Sequence, residues 1–249
     1  MEFYNPDDII SSIEKEVVYK QTHITKRNGN SISLRPIVYN CIREVYFEVM
    51  DCPKNPSEDG IKLFKSFFWT GPIGDALHQK FQNLMHLTEQ PYTEELVTFE
   101  TFAPLLYVRS KCDGIDVSNP DNIVLYEIKT KDSIPSKPYD GELLQCLLSV
   151  FFFRKEINLN IKGASMIYVN RSNPYDFKFF NYDFFDTLSE YYINVVDALH
   201  STFQKIQELL NSLQSRTPPS MESKFVKKFD YGKPKCPNCV YREVCSQYK

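Results

Sequence analysis

Five side chains in the middle of the sequence have the types that hold a hard metal ion and its waters: His78, Asp113, Glu127, Lys129 and Gln145. In Val124-Leu125-Tyr126-Glu127-Ile128-Lys129, alternation puts Val124, Tyr126 and Ile128 on one strand face and Glu127 with Lys129 on the other. So apolar a strand is predicted to be central, where a charge is costly unless it is paired or coordinates a metal. Asp113 is expected on the preceding strand, and a short turn would bring its carboxylate beside Glu127. Two carboxylates suit magnesium or manganese, which keep several waters and bind substrate phosphate as well. A neutral His78 imidazole would add a softer nitrogen that favours manganese. Such an ion acidifies its water and neutralises charge on a phosphate, while Lys129 holds the attacking water or a phosphate oxygen, so phosphodiester hydrolysis is the expected chemistry. Gln145 shares a helix face with Leu148 and Phe152, and a buried amide there needs hydrogen-bond partners such as a metal-bound water or the lysine. The plainer readings are a surface ion pair for Glu127 and Lys129, and a satisfied helix-edge histidine for His78.

A second, softer set lies towards the ends. Cys236-Pro-Asn-Cys239-Val-Tyr-Arg-Glu-Val-Cys245 supplies three thiols, and Cys41, nearly two hundred residues earlier, can supply a fourth. Four thiolates suit an iron–sulfur cluster or tetrahedral zinc, and either would tie the two regions together. Cys52, Cys112 and Cys146 read as core residues.

These side chains need elements to hold them. A helix is predicted over 33–50, with Ser33 as cap and Cys41 inside it, followed by a loop over 52–60. Thr70 to Asp75 leads into a second helix with the stripe Leu77, Phe81, Leu84 and Met85, and His78 lies at its edge. Strands are expected at 96–102, 105–117 and 123–130, the last two joined by a turn over 118–122. A helix over about 141–155, strands at 164–170 and 177–180, and a long amphipathic helix after Asp186 complete an α/β pattern.

The 249 residues carry a net charge of −3, so overall charge does not single out a nucleic-acid partner. Residues 216–249 differ, with eight basic side chains against Glu222, Asp230 and Glu243, a balance that suits phosphates or a solvated surface. The opening Met1–Asp8 has neither a basic region nor an apolar run, and no stretch is long and apolar enough for a membrane span. The expectation is an intracellular, cytoplasmic protein of one domain without a membrane partner, and reduced thiols there favour metal binding or packing over disulfides.

The order of these motifs resembles the RecB-like nucleases of the PD-(D/E)xK superfamily, in the iron–sulfur branch that includes CRISPR-associated adaptation exonucleases and the nuclease parts of AddB-type helicase–nucleases. In that branch a helix histidine, an aspartate, a Glu-x-Lys strand and a glutamine helix make the site, matched here by His78, Asp113, Glu127-Ile128-Lys129 and Gln145. Its cluster uses one early and three late cysteines, matched by Cys41, Cys236, Cys239 and Cys245. The resemblance implies a restriction-endonuclease-like core, a central mixed sheet flanked by helices, with residues 33–50 and 216–249 forming a clip around a structural [4Fe-4S] cluster. It implies a manganese- or magnesium-dependent deoxyribonuclease acting on single strands or DNA ends, with exonuclease and possible endonuclease activity, and CRISPR-adaptation or helicase partners. A DNA-binding or adaptation-complex subunit with little cleavage of its own, and a zinc-stapled module, are the alternatives. Two positions depart from the branch's pattern: Ser110 stands where glycine often precedes the aspartate by three, and Ser149 stands four after the glutamine in place of an aromatic. Asp116 is a rival for the Asp113 role, disfavoured by alternation and by the Asp-Gly-Ile-Asp context.

Overall fold

The computed structural model describes residues 11, 15, 31–57, 71–83, 106–117, 119–156, 158–183, 190–227, 229–230, 233–234, 236 and 239–248. The expected strand at 96–102, the Leu84–Met85 end of the second helix and the opening residues lie outside these. In chain order the elements are β1 (Ser31–Ser33), α1 (Leu34–Tyr39), α2 (Ile42–Val49), α3 (71–83), β2 (Tyr107–Arg109), β3 (Gly114–Asp116) and β4 (Ile123–Lys131). They continue with α4 (Asp140–Glu156), β5 (Ile161–Asn170), β6 (Phe177–Asp183), α5 (Glu190–Ser215), β7 (Phe229–Asp230), β8 (Lys233–Pro234) and α6 (Arg242–Ser246).

The main sheet is mixed, in the order β3-β4-β5-β6, with β4 and β5 parallel and the outer pairs antiparallel. Strand β5 is buried along nearly its whole length, as a near-continuous apolar run in a central strand requires. On one face, Leu125 of β4 and Met166 and Tyr168 of β5 join Cys146, Leu148, Phe152 and Phe153 of α4 in the main core, which α1, α2 and α5 extend. The other face carries a smaller cluster, Ile128, Ile167 and Val169, against Phe81 of α3. Gly74 lets α3 come close, since a Cβ there would stand 3.0 Å from Thr130 Oγ1. The chain is thus an α/β protein with helices on both faces of a mixed sheet, and among the described residues no helix is long and apolar enough to cross a membrane.

Two predicted elements are divided. The helix expected over 33–50 breaks at Asn40, whose backbone is extended, and Cys41, whose backbone is also non-helical, so that Cys41 becomes the cap residue at the start of α2. The apolar spacing runs through the break, but tertiary bonds override it. Lys205 Nζ reaches the carbonyl of Ile37 and, at 2.6 Å, that of Asn40, Lys227 reaches that of Tyr39, and Ile42 N–H donates to Phe225 O at 3.1 Å. The carbonyls left open at the end of α1 are thereby satisfied by cations, which also suit the negative end of a helix. The strand expected over 105–117 divides into β2, which pairs with β1, and β3, which pairs with β4. Asp113 falls in the gap, one residue before β3, and not on a strand as predicted.

Candidate active site

Strand β4 is paired on both sides, and its alternation turns Glu127, Lys129 and Lys131 towards the α4 face. Glu127 is 3% exposed, and its Oε1 accepts from Lys129 Nζ at 2.6 Å. Its second oxygen, Oε2, is buried with no hydrogen-bond partner among the described residues. Burial, with Asp113 adding repulsion, pushes the Glu127 carboxyl up to about 7 although Lys129 pulls it down. Burial would lower Lys129, yet Glu127 beside it holds the ammonium above its ordinary value.

Asp113 reaches this group from the sheet edge. The pairing of β3 with β4 ends at Gly114 and Tyr126, which leaves the Ile128 N–H free for Asp113 Oδ2 at 2.7 Å. Its Oδ1 lies 3.6 Å from His78 Nδ1, just beyond hydrogen-bond length, and Gln82, one turn after His78 on α3, donates to the Asp113 carbonyl. Burial pushes Asp113 up, but the His78 imidazole, the Ile128 N–H and Lys129 together hold it below the ordinary value. Asp116, by contrast, pairs with Val124 at the other end of β3.

Gln145 of α4 is half-buried, and its carbonyl accepts from Ser149 Oγ at 3.0 Å; its side-chain amide bonds none of Asp113, Glu127 and Lys129. Ser149 Oγ also accepts from Ser110 Oγ at 2.8 Å, so the two departures from the branch's pattern form one buried hydrogen bond. Sequence reasoning missed three participants: Gln82, and the pair Lys131–Glu142 at 2.6 Å. Lys131 was open to discovery, since it is two residues beyond Lys129 on the same face.

None of the seven cysteines is in a disulfide. Burial raises the Cys245 thiol, Arg43 lowers it, and Cys41 and Cys236 raise it further, which places all three sulfurs within electrostatic reach. Cys239 N–H donates to Cys236 O at 3.2 Å, keeping the fourth residue in the same turn. Cys52 is half-buried, its thiol raised by burial and by Asp51, and Cys112 and Cys146 are fully buried, as core residues should be. Arg43, 3% exposed, ties α2 to residues 219–248 with bonds to the carbonyls of Pro219 (3.0 Å), Cys245 (3.1 Å) and Tyr248 (2.8 Å). Hydrogen bonds to a charged group contribute about 1.5–3 kcal/mol, so Arg43→Met is expected to lower stability by about 3 kcal/mol and the melting temperature by about 6–12 °C, as thermal denaturation would record.

Among the described residues no group of three or more His, Cys, Asp or Glu side chains is placed so that it could hold a metal ion. The donors nonetheless fit the ions expected of them: the orphaned Glu127 oxygen beside Asp113 suits a hard cation, and the neighbouring thiols suit a soft centre. No family model and no curated protein matches the chain. Among solved structures it is similar to the crystal structure of SSO0001, at 15% identity over 97% of this chain and 98% of that one, with a TM-score of 0.47.

Proposed function

We propose that this protein is a metal-dependent deoxyribonuclease with a PD-(D/E)xK core, similar to the RecB-like nucleases of the iron–sulfur branch, and that it acts on single strands or DNA ends. The observation that carries the reading is Glu127 Oε2, a buried carboxylate oxygen on a central strand with no hydrogen-bond partner among the described residues. A structural ion pair would satisfy both oxygens, because an unmet buried acceptor costs about 1–3 kcal/mol and more when charged. An arriving divalent cation removes that penalty.

Asp113 and Glu127 would hold manganese or magnesium, which when bound supplies charge neutralisation at a phosphate and a water acidic enough to lose its proton near neutral pH. The protein's own contribution is positional. The Ile128 N–H fixes one Asp113 oxygen and leaves the other towards His78. Lys129, 19% exposed and held charged by Glu127, has two further N–H donors to offer a phosphate oxygen or the attacking water. In the hydrolysis, water oxygen bonds to phosphorus, the phosphorus–oxygen bond to the leaving sugar breaks, and the water's proton ends on the leaving oxygen. Cys41, Cys236, Cys239 and Cys245 would hold the [4Fe-4S] cluster, whose role is to tie the region after Phe225 to the start of α2.

Incubation with end-labelled single-stranded, duplex and circular DNA tests this. Cleavage of single strands or ends is expected with manganese, and none with EDTA. Cutting undiminished by EDTA, or none with manganese and cluster-replete protein, would refute the reading. Iron and sulfide analysis of anaerobically purified protein separates the cluster from zinc.

A further inference from the structure

Beyond Lys129 the same sheet face runs into a cluster that hydrolysis does not use. Tyr168 donates its hydroxyl to Glu142 Oε2 at 2.6 Å, while Glu142 Oε1 takes Lys131 Nζ at 2.6 Å. Tyr168 is fully buried, and its oxygen accepts the backbone N–H of Tyr139 at 3.3 Å. The Tyr139 and Tyr168 rings meet edge to face at 6.4 Å, and the Lys131 ammonium lies 4.9 Å from the Tyr139 ring centre. The Tyr139 backbone and ring are thus fixed by partners beneath them, yet Tyr139 is 52% exposed. Strand register makes Tyr168 the direct neighbour of Lys129, so the exposed ring stands close to the proposed site.

A flat ring with a cation over one face attracts, on its exposed side, a partner that combines a π-face with negative charge. A nucleotide has both, and aromatic shelves beside cations are how single strands are held without sequence preference. A duplex keeps its base faces stacked inside and cannot use such a shelf. The exposed Phe177 and Phe179 of β6 are less suited, because they lie on the opposite sheet face, with Phe81.

We propose that Tyr139, held by Tyr168 and flanked by Lys131, is the shelf on which an unpaired base of a DNA strand stacks, with the strand's phosphates towards Lys131 and Lys129. The proposal rests on the reading of Asp113, Glu127 and Lys129 as a DNA-cleaving site, and names the side chain that selects single strands.

The test is binding in EDTA, where no cleavage intrudes: fluorescence anisotropy of a labelled fifteen-nucleotide oligothymidine and of its blunt duplex, with the full chain. Tyr139→Ala is expected to weaken single-strand binding about tenfold, in line with one lost base–aromatic stack, and to leave duplex binding unchanged. Tyr139→Trp should restore affinity, and Tyr175→Ala, which removes a ring that is 93% exposed elsewhere, should have no effect. Unchanged single-strand binding in Tyr139→Ala, an equal loss for the duplex, the same loss in Tyr175→Ala, or a wild type that binds no oligonucleotide would each overturn the shelf. The two readings fail separately. Wild type that cuts DNA while Tyr139→Ala binds normally defeats the shelf alone; wild type that cuts nothing but shows the Tyr139-dependent preference defeats hydrolysis and leaves the shelf standing.

Discussion

Glu127→Ala and Asp113→Ala are each expected to lower DNA cleavage on the order of a thousandfold or more, because each removes one of the two carboxylates proposed to hold the metal ion. Lys129→Ala should do the same through loss of the phosphate-facing ammonium. The fold should survive, since each carboxylate variant relieves repulsion within the site, the force that together with burial raises Glu127 to about 7. The sign of that effect makes a second measurement possible. A carboxyl raised on folding contributes stability that is fully present below its ordinary value of 4.5 and is lost as pH rises through about 7. In metal-free wild type this group alone should remove about 2 kcal/mol between pH 5 and pH 8, and Glu127→Gln should flatten the melting profile over that window. Near-wild-type turnover in any of the three alanine variants would show that the site is misassigned, whatever the melting curves do.

Cys41→Ser should be among the most destabilising single changes in the chain. If Cys41 and Cys239 serve one centre, they close a loop of nearly two hundred residues, and by chain-entropy arguments a link of that span contributes up to about 5 kcal/mol. Cys239→Ser should match it, with both variants losing iron and sulfide and melting about 10–20 °C lower. Cys52→Ser should keep its metal, since Asp51 and not another thiol is its charged neighbour. Full iron content and unchanged melting in Cys41→Ser would remove that residue from the ligand set.

Much of this arrangement was legible in the sequence wherever local pattern and tertiary demand agree. The apolar stretch of β4, the α4 turn carrying Gln145 and the long period of α5 all fall where their spacing puts them, and the alternation in β4 separates Glu127 and Lys129 from Tyr126 and Ile128 as expected. What could not be read depends on partners far along the chain. Nothing near Cys41 marks a break; Lys205, Lys227 and Phe225 impose it. The Lys131–Glu142–Tyr168 group needs the β4–β5 register, which no local pattern carries. The position of Asp113 is intermediate, because its neighbour Gly114 signals a bend but only the vacant Ile128 N–H explains why the strand stops there.

The Arg43 fork has a consequence for biosynthesis. Its bonds to Cys245 and Tyr248 span 202 and 205 residues, which a ribosome adds in roughly 10–40 s at 5–20 residues per second. Throughout that interval the first helices are made but lack the carbonyls that accept hydrogen bonds from a guanidinium destined for the interior. The nascent chain therefore carries a cation destined for burial before it owns these hydrogen-bond partners, and this region is where chaperone dependence and sensitivity to translation speed should concentrate.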